Sequence, residues 1–157
     1  MKRNILAAGS LATLMLAFTS AQASDGRLAT DRLDEVLEQV TAFGFQHIQE
    51  IEAKGRDSVE VEGWLDDEWQ AEVRLSLENG ESLEEERKRR DGGAWGMSEE
   101  DIRLAMEAAV AEGLAEFEEI QVDRDGRIEI EGRDADGREI EVRTRQGESG
   151  ATDVERD

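Results

Sequence analysis

Few residues in this sequence are of the types that catalysis requires. The chain has a single histidine, His47, and no cysteine, which excludes a cysteine nucleophile, a disulfide and a thiolate metal site. Acidic residues are abundant, but the sequence places no pair of them in an apolar setting that would raise one pKa for acid–base work. A lone histidine just past a predicted helix is more often a surface residue than a catalytic base. We therefore expect no enzymatic activity and no cofactor.

Two short Asp-x-Asp-Gly segments, residues 123–126 and 134–137, invite a comparison with calcium-binding loops. A twelve-residue calcium loop needs oxygen ligands at its first and last positions. Aligning the second segment puts Gly132 first and Arg143 last, and aligning the first segment puts Gln121 first and Gly132 last. Both segments are therefore predicted to be hairpin turns, and no specific metal site is expected. Loose divalent-cation binding by an acidic sheet face stays open.

The three tryptophans are the best candidates for contacting a partner. Trp69 alternates in phase with inward apolar residues and is predicted to be core, whereas Trp64 alternates in phase with glutamates and is predicted to face outward. Trp95 lies in a glycine-rich connector. Exposed tryptophans are frequent binding anchors, although packing between two halves of the molecule would bury them equally well. The predicted partner-binding residues are Trp64 and Trp95, with Asp66 and Asp67 as a polar rim.

The sequence segments that must position these residues occur twice in the chain. "VEVEGWLDDEWQAEVR" at residues 59–74 is matched by "IEIEGRDADGREIEVR" at residues 128–143. At this constant offset the alignment extends without a gap from residue 33 to residue 74, and it pairs Gly44 with Gly113 and Gly63 with Gly132. Glycines and apolar positions that stay in phase over this length indicate a duplication.

Each copy begins with apolar residues at the 3.6-residue period of a helix, ended by glycine, and then switches to the two-residue period of strands. A meander that is apolar on one face needs a helix to cover that face. We therefore predict an α+β fold of two tandem repeats, each an amphipathic helix packed on an antiparallel β-meander. The predicted boundaries are 24–90 for repeat 1, 91–97 for the connector, 98–148 for repeat 2 and 149–157 for a flexible acidic tail. Residues 81–90 fit a strand or a helix, and the position favours a strand.

Residues 1–23 have the layout of a secretory signal peptide. Lys2 and Arg3 precede an apolar run at residues 5–18, and Ala21-Gln22-Ala23 is an A-x-A cleavage site. The alternative is an uncleaved anchor, but the apolar run is shorter than the about 18 residues typical of a spanning helix. The sequence predicts export to the periplasm, with no membrane insertion after cleavage.

The predicted mature chain is strongly acidic. The full sequence has a net charge of −21, and loss of Lys2 and Arg3 with the signal peptide makes it −23. Such a charge would repel nucleic acid and anionic membranes, so neither is expected as a partner. The acidity indicates a solvated surface in a salty medium or, alternatively, a surface for cations or a cationic partner.

The order of elements in each copy resembles the PepSY domain: a helix ended by Gly44 or Gly113, a strand with Ile51 or Ile120, an alternating Val-Glu or Ile-Glu strand and a Glu-Val-Arg strand. Two such units in an exported chain are similar to tandem PepSY-like proteins related in fold to the β-lactamase inhibitor protein. The resemblance implies a protein-binding or regulatory module that restrains a peptidase or assists an envelope sensor. The alternative function is an acidic protein that binds calcium or other divalent cations in the envelope.

The chain also departs from the PepSY pattern. Val59 and Ile128 stand where the family often has an aromatic residue, and the first copy has Asp67-Glu68 where the second has the usual Asp-Gly pair.

Overall fold

The computed structural model describes residues 26–157. The predicted signal peptide, residues 1–23, lies outside the described residues. Within the described part, neither helix has the length and apolar character needed to cross a membrane.

The described residues form nine strands and two α-helices. The strands are β1 Leu28–Ala29, β2 His47–Ala53, β3 Ser58–Trp64, β4 Trp69–Ser76, β5 Ser82–Arg89, β6 Leu114–Val122, β7 Arg127–Asp134, β8 Glu139–Arg145 and β9 Asp153–Arg156. The helices are α1 Leu33–Phe43, preceded by a 3-10 turn at Thr30–Arg32, and α2 Glu99–Ala111.

The strands join in one antiparallel sheet, and the prediction of two tandem repeats that each pack a helix on a separate meander is wrong. The sheet order is β5-β4-β3-β2-β6-β7-β8-β9, with β1 also beside β6. The junction is the pairing of β2 with β6, where Ile51 lies opposite Ile120, its equivalent in the other copy. In separate repeats both strands would be exposed edges, and pairing them removes both edges.

Short segments from outside the main strands complete this junction. Beyond the pairing of β2 with β6, Met97 exchanges two backbone hydrogen bonds with Ile48, at 2.9 and 2.7 Å. At the opposite end of the junction, Leu28 pairs with Phe117. Leu28 and Met97 occupy equivalent positions of the two copies, and both are fully buried. The segment before each helix therefore packs beside a strand of the other copy.

A single hydrophobic core lies between the sheet and the two helices. The inward residues of the strands and the apolar stripes of α1 and α2 belong to one buried cluster. Ser98 caps α2 by accepting a hydrogen bond from the Asp101 backbone N–H, while the Asp101 carboxylate accepts one from the Ser98 N–H. Gly44 ends α1 in the left-handed conformation, at φ 115°. Since the apolar stripes of α1 and α2 belong to one buried cluster, both helices cover the same face of the sheet.

Gly63 and Gly132 are required by close approach of two strands. Each lies opposite an irregularity in the neighbouring strand, β2 for Gly63 and β6 for Gly132. A Cβ atom at Gly63 would lie 2.3 Å from the His47 carbonyl oxygen, and one at Gly132 would lie 2.0 Å from that of Glu116. No side chain fits at these distances, so both copies retain glycine.

The structure resolves the ambiguous segment 81–90 and differs from the prediction for the segment 149–157. The ambiguous residues 81–90 contain β5, an exposed edge strand paired with β4. The segment 149–157, predicted to be a flexible tail, contains β9, which pairs with β8 from Ile140↔Arg156 to Arg143↔Asp153. Ion pairs of Arg143 with Asp153 and Glu155, both at 2.8 Å, hold this last strand, and local composition gave no sign of them.

Candidate functional site: the acidic face and the Trp64 cavity

The face of the sheet opposite the helices carries two continuous rows of outward side chains. The first row, across eight strands, is Glu86, Glu72, Glu62, Glu50, Gln121, Glu129, Arg143 and Asp153. The second row is Glu84, Arg74, Glu60, Glu52, Glu119, Glu131, Glu141 and Glu155. Six of the eight residues in the first row and seven of the eight in the second are acidic. We call these two rows the acidic face.

The centre of the acidic face holds carboxylates that repel one another. Partial burial, followed by the charges of Glu50 and Glu131, raises the pKa of Glu119 from 4.5 to about 7. Burial is also the main cause that raises the pKa of Glu50, Glu62 and Glu131, and neighbouring carboxylates add to it. Like charges on directly opposite strands are unfavourable. The central acids would therefore be stabilised by a cationic group placed over them.

One flank of the acidic face is neutralised by Arg143. This guanidinium contacts four acids: Glu129 at 3.0 Å, Asp153 and Glu155 at 2.8 Å each, and Glu141. Hydrogen bonds to Glu155 and Glu129 raise the pKa of Arg143 above its ordinary value.

The other flank has three internal cations, one of which is Lys88, 2.9 Å from Glu86. Arg74 lies 3.8 Å from Glu60, and Lys54 lies 3.4 Å from Glu60 and also contacts Glu52. Between the flanks, Glu50, Glu119 and Glu131 form no ion pair with any described basic residue. The centre of the acidic face is therefore poorly compensated, and Glu62 and Glu72 on the neighbouring strands have no ion pair within the described range either.

One acidic group has the spacing of a cation site. Carboxylate oxygens of Glu129, Glu131 and Glu141 lie within 4.8 Å of one another. The Arg143 guanidinium, however, already pairs with Glu129 and Glu141. A positive charge within the group lowers its attraction for a metal ion.

A cavity of about 430 Å³ lies at one end of the acidic face. In the structure the connecting segment, predicted as 91–97, comprises residues 90–96; this connector runs from the end of β5 to Met97 beside β2 and lies against this face. The cavity is lined by Gln49, Glu50, Glu62, Trp64, Gln70, Gln121 and Val122 from the sheet, by Arg90, Asp91, Gly93 and Trp95 from the connector, and by Arg124 from the β6–β7 turn. We call it the Trp64 cavity.

Trp64 forms part of the wall of this cavity. Its side chain is 3 % exposed, and its indole Nε1 is buried with no hydrogen-bond partner among residues 26–157. Beside it, the Gln70 Nε2 donates to Gln49 Oε1 at 2.6 Å and to Glu62 Oε1 at 2.7 Å. These amide contacts fix the polar wall, but they leave the indole N–H unsatisfied.

The opposite wall of the cavity carries Trp95 and two arginines. The Arg124 guanidinium carbon lies 5.0 Å from the centre of the Trp95 ring, which is the range of a cation–π contact. Arg90 donates from Nε to the Gln70 Oε1 at 3.2 Å. The Trp64 cavity therefore has carboxylates on the sheet side, and two guanidinium groups and the Asp91 carboxylate on the side of the connector and the β6–β7 turn.

The structure brings together only some of the predicted site residues. Trp64 and Trp95 line the same cavity, whereas Asp66 and Asp67 lie in the β3–β4 hairpin, outside it. Asp66 has a structural contact there, because its Oδ1 accepts hydrogen bonds from the backbone N–H groups of Glu68 and Trp69, both at 2.8 Å. Whether these four residues bind a partner remains a prediction.

The predicted exposure of Trp69 was wrong, whereas Trp64 takes the buried alternative that the sequence left open. Trp64 lies on the glutamate-bearing side of β3, as its alternation predicts, but the connector covers it. Trp69 is 41 % exposed instead of core, because it begins β4 opposite Arg89 of the exposed edge strand β5. Alternation assigns a side chain to one side of a sheet and does not show what covers that side.

Sequence reasoning missed Glu50, Gln70 and Arg124 as lining residues. Nothing in the local sequence distinguishes Glu50 from the other glutamates of alternating strands. The glycine-rich connector was the one available signal, since a flexible segment after an edge strand can turn back over the sheet.

Comparisons with known proteins give no family. No protein-family model matches the chain, and no curated protein is significantly similar to it. A solved structure from Clostridium difficile 630, described as a putative lipoprotein, aligns with a TM-score of 0.48 at 18 % sequence identity, over 85 % of this chain and 95 % of that chain. Likeness at this level assigns neither a fold family nor a function.

Proposed function

We propose that this chain is an exported, non-enzymatic binding protein whose acidic face holds a basic segment of another protein. The observation that carries the proposal is the poorly compensated centre of the acidic face. Within the part of the chain that the structure describes, Glu50, Glu119 and Glu131 have no ion pair with a basic residue. Lysine and arginine side chains would relieve their mutual repulsion and would be attracted over a distance by the net charge.

A basic protein segment suits this surface better than a single metal ion. The rows extend over eight strands, and neighbouring strands are about 4.8 Å apart, so several cationic side chains can bind at once. Among the described residues, the one close group of three carboxylates already pairs with the Arg143 guanidinium. Calcium binding therefore remains the weaker alternative, while a peptidase or an envelope sensor remains the partner class that the PepSY resemblance implies.

Export and localisation are part of the proposal. The layout of residues 1–23 supports passage through the secretory route. The A-x-A cleavage site, in a sequence that has no cysteine to carry a lipid, supports a periplasmic location. Detection of the mature chain beginning near Ser24 in a periplasmic fraction, by mass spectrometry, would test this point. A chain that retained residues 1–23 in the membrane fraction would contradict it.

Binding to a basic probe tests the proposed function directly. We expect a fluorescein-labelled octalysine peptide to bind the purified protein, with fluorescence anisotropy as the measurement. A triple variant, Glu50→Gln, Glu119→Gln and Glu131→Gln, should bind at least about tenfold more weakly, equal to about 1.4 kcal/mol. The affinity should fall as salt is raised, because screening weakens charge attraction.

A matched control separates the acidic face from net charge alone. The variant Glu38→Gln, Glu100→Gln and Glu107→Gln changes the charge equally at exposed helix positions, and we expect an affinity within about twofold of the parent. Equal losses in the two triple variants would overturn the proposal, because the probe would then be responding to net charge. Tight, stoichiometric calcium binding in calorimetry, abolished by Glu131→Gln, would favour the cation-binding alternative.

A further inference from the structure

We propose that the Trp64 cavity binds a small zwitterion, a free amino acid or short peptide that carries one ammonium and one carboxylate group. The cavity shares Glu50 and Glu62 with the acidic face, but zwitterion binding goes beyond the proposed docking of a basic protein segment and does not require it. Its volume of about 430 Å³ lies in the range of small-molecule sites. The inference comes from three lining groups that have no hydrogen-bond or ion-pair partner among residues 26–157.

The first group is the indole N–H of Trp64. The side chain is more than nine-tenths buried, since only 3 % is exposed, and the described residues provide no acceptor for Nε1. A buried donor without an acceptor is costly, and nearly all such groups in folded proteins are satisfied. Nε1 itself has almost no accessible surface, so a ligand carboxylate or carbonyl oxygen in the cavity would supply the missing acceptor only with a shift of the lining side chains.

The second group is the Glu50 carboxylate. No hydrogen bond or ion pair to it occurs among residues 26–157, although it is half-buried. Glu62, the residue opposite on β3, accepts one hydrogen bond from Gln70. Burial and the nearby negative charges raise the pKa of both groups. An ammonium group between Glu50 and Glu62 would compensate both charges.

The third group is the Arg124 guanidinium. Its only contact within the described range is with the Trp95 ring, so its N–H donors remain available to an anion. Arg90 lies on the same side and uses Nε for Gln70. Guanidinium groups bind carboxylates in a planar, two-point geometry. Among residues 26–157, the Arg124 donors and the Glu50 carboxylate therefore remain without a polar partner in this cavity, whose connector side also carries the Asp91 carboxylate.

A ligand of a single charge would satisfy only one wall. A simple amine would leave Arg124 and the Trp64 N–H without an acceptor, and a simple acid would face Glu50 and Glu62. A lysine side chain of a basic partner has the same defect as the amine. A zwitterion matches both walls, and its two charges are separated by the few bonds that a cavity of this size can span.

The equivalent region at the other end of the acidic face lacks this pattern. Arg133 is the equivalent of Trp64 in the second copy, and it pairs with Glu118 at 3.3 Å and with Glu139 at 2.7 Å. Glu118 and Glu139 correspond to Gln49 and Gln70. These groups satisfy one another, and that region therefore serves as an internal control.

Three forms of one dipeptide test the proposal. We expect alanyl-alanine to quench or shift the tryptophan fluorescence of the purified protein in a saturable way, with a Kd of about 1 mM or lower. N-acetyl-alanyl-alanine lacks the ammonium group and alanyl-alanine amide lacks the carboxylate, and each should bind at least about tenfold more weakly. Equal binding of the three forms, or no saturable binding of alanyl-alanine, would overturn the proposal.

Variants locate the binding in the cavity. Glu50→Gln and Arg124→Gln should each weaken alanyl-alanine binding about tenfold or more, and Arg124 is exposed, so its variant will fold. Glu119→Gln, which changes the residue equivalent to Glu50, should leave the affinity unchanged. If Glu119→Gln weakened binding as much as Glu50→Gln, the cavity would not be the site.

Discussion

The two ends of the acidic face have the same backbone arrangement and opposite chemistry. At one end Trp64 is buried beneath the connector with its N–H unsatisfied. At the other end Arg133 pairs with Glu118 and Glu139 beside a cavity of about 310 Å³. Trp64 and Arg133 occupy equivalent positions of β3 and β7, each one residue after the glycine that allows close approach of the neighbouring strand.

This difference shows which constraints act on each side of the sheet. On the helix side, the two copies keep the same apolar positions because both helices share one core. On the open side, Arg133 of the second copy forms ion pairs with Glu118 and Glu139. In the first copy, the described residues provide no polar partner for the Glu50 carboxylate or for the Trp64 Nε1. The first copy is therefore the half in which we place a ligand, and the following changes test how far the two halves differ.

The largest change in stability is expected at buried strand positions that are apolar in both copies. Val73→Asp and Val142→Asp should each destabilise the protein by about 3–5 kcal/mol, because each would bury an unpaired charge. Val73 is 1 % exposed and Val142 is fully buried. Chemical denaturation, monitored by circular dichroism, measures the loss. Glu72→Lys, one residue earlier on the open face, should change stability by less than about 1 kcal/mol, and a larger cost for Glu72→Lys than for Val73→Asp would contradict the strand register.

The sequence predicted the elements better than their assembly. The 3.6-residue period places α1 and α2, and the two-residue period places Val59 and Val61 inward on β3, because these patterns depend on side chains of one segment. The choice of partner for β2 is not local. Ile51 pairs with Ile120 because leaving β2 and β6 as exposed edges would be unfavourable. The alternation of apolar and polar residues does not reveal this pairing, since two separate meanders and one continuous sheet have the same alternation.

The candidate site was harder to predict than the fold. The tryptophan pattern identified Trp64 and Trp95, but it left open whether they were exposed anchors or buried by packing, and in the structure Trp64 is part of a covered cavity wall. The cover comes from the path of residues 90–96, which depends on where Met97 pairs with Ile48. Charged partners such as Arg124 come from a distant turn. Such long-range contacts have no periodic signature in the sequence.

The second prediction contrasts Trp64 with Arg133 directly. Trp64→Ala should cost about 3 kcal/mol or more, because it removes a large buried ring and leaves a void. Arg133→Ala should cost only about 1 kcal/mol or less, since it removes partly exposed ion pairs. Thermal or urea unfolding of the two purified variants gives the comparison. A Trp64→Ala protein as stable as the parent would mean that the indole is not a packing residue, and the exposed-anchor prediction would then be correct after all.

The third and smallest effect concerns Glu119 and its equivalent, Glu50, as pH changes. The folded protein holds the pKa of Glu119 at about 7, above the ordinary 4.5, so between these values the folded state binds more protons than the unfolded state. The contribution of Glu119 to stability therefore decreases as pH rises from about 4.5 to 7 and stays unfavourable above 7. Glu119→Gln should raise the Tm at pH 8 by about 2–4 °C and should reduce the fall in Tm between pH 5 and pH 8.

Glu50→Gln should give a smaller gain than Glu119→Gln. Burial and neighbouring acids also raise the pKa of Glu50, but the positive charge of Lys54 opposes them, whereas no cation is among the main influences on Glu119. Glu107→Gln, on the exposed surface of α2, serves as the control and should leave the dependence of Tm on pH unchanged. Differential scanning calorimetry of the parent and the three variants at pH 5 and pH 8 measures all four dependences. A Glu119→Gln variant that melts at a lower temperature than the parent at pH 8 would show that this carboxylate is favourably compensated in the folded protein, and the central acids would then lose their part in the proposed attraction of a basic partner.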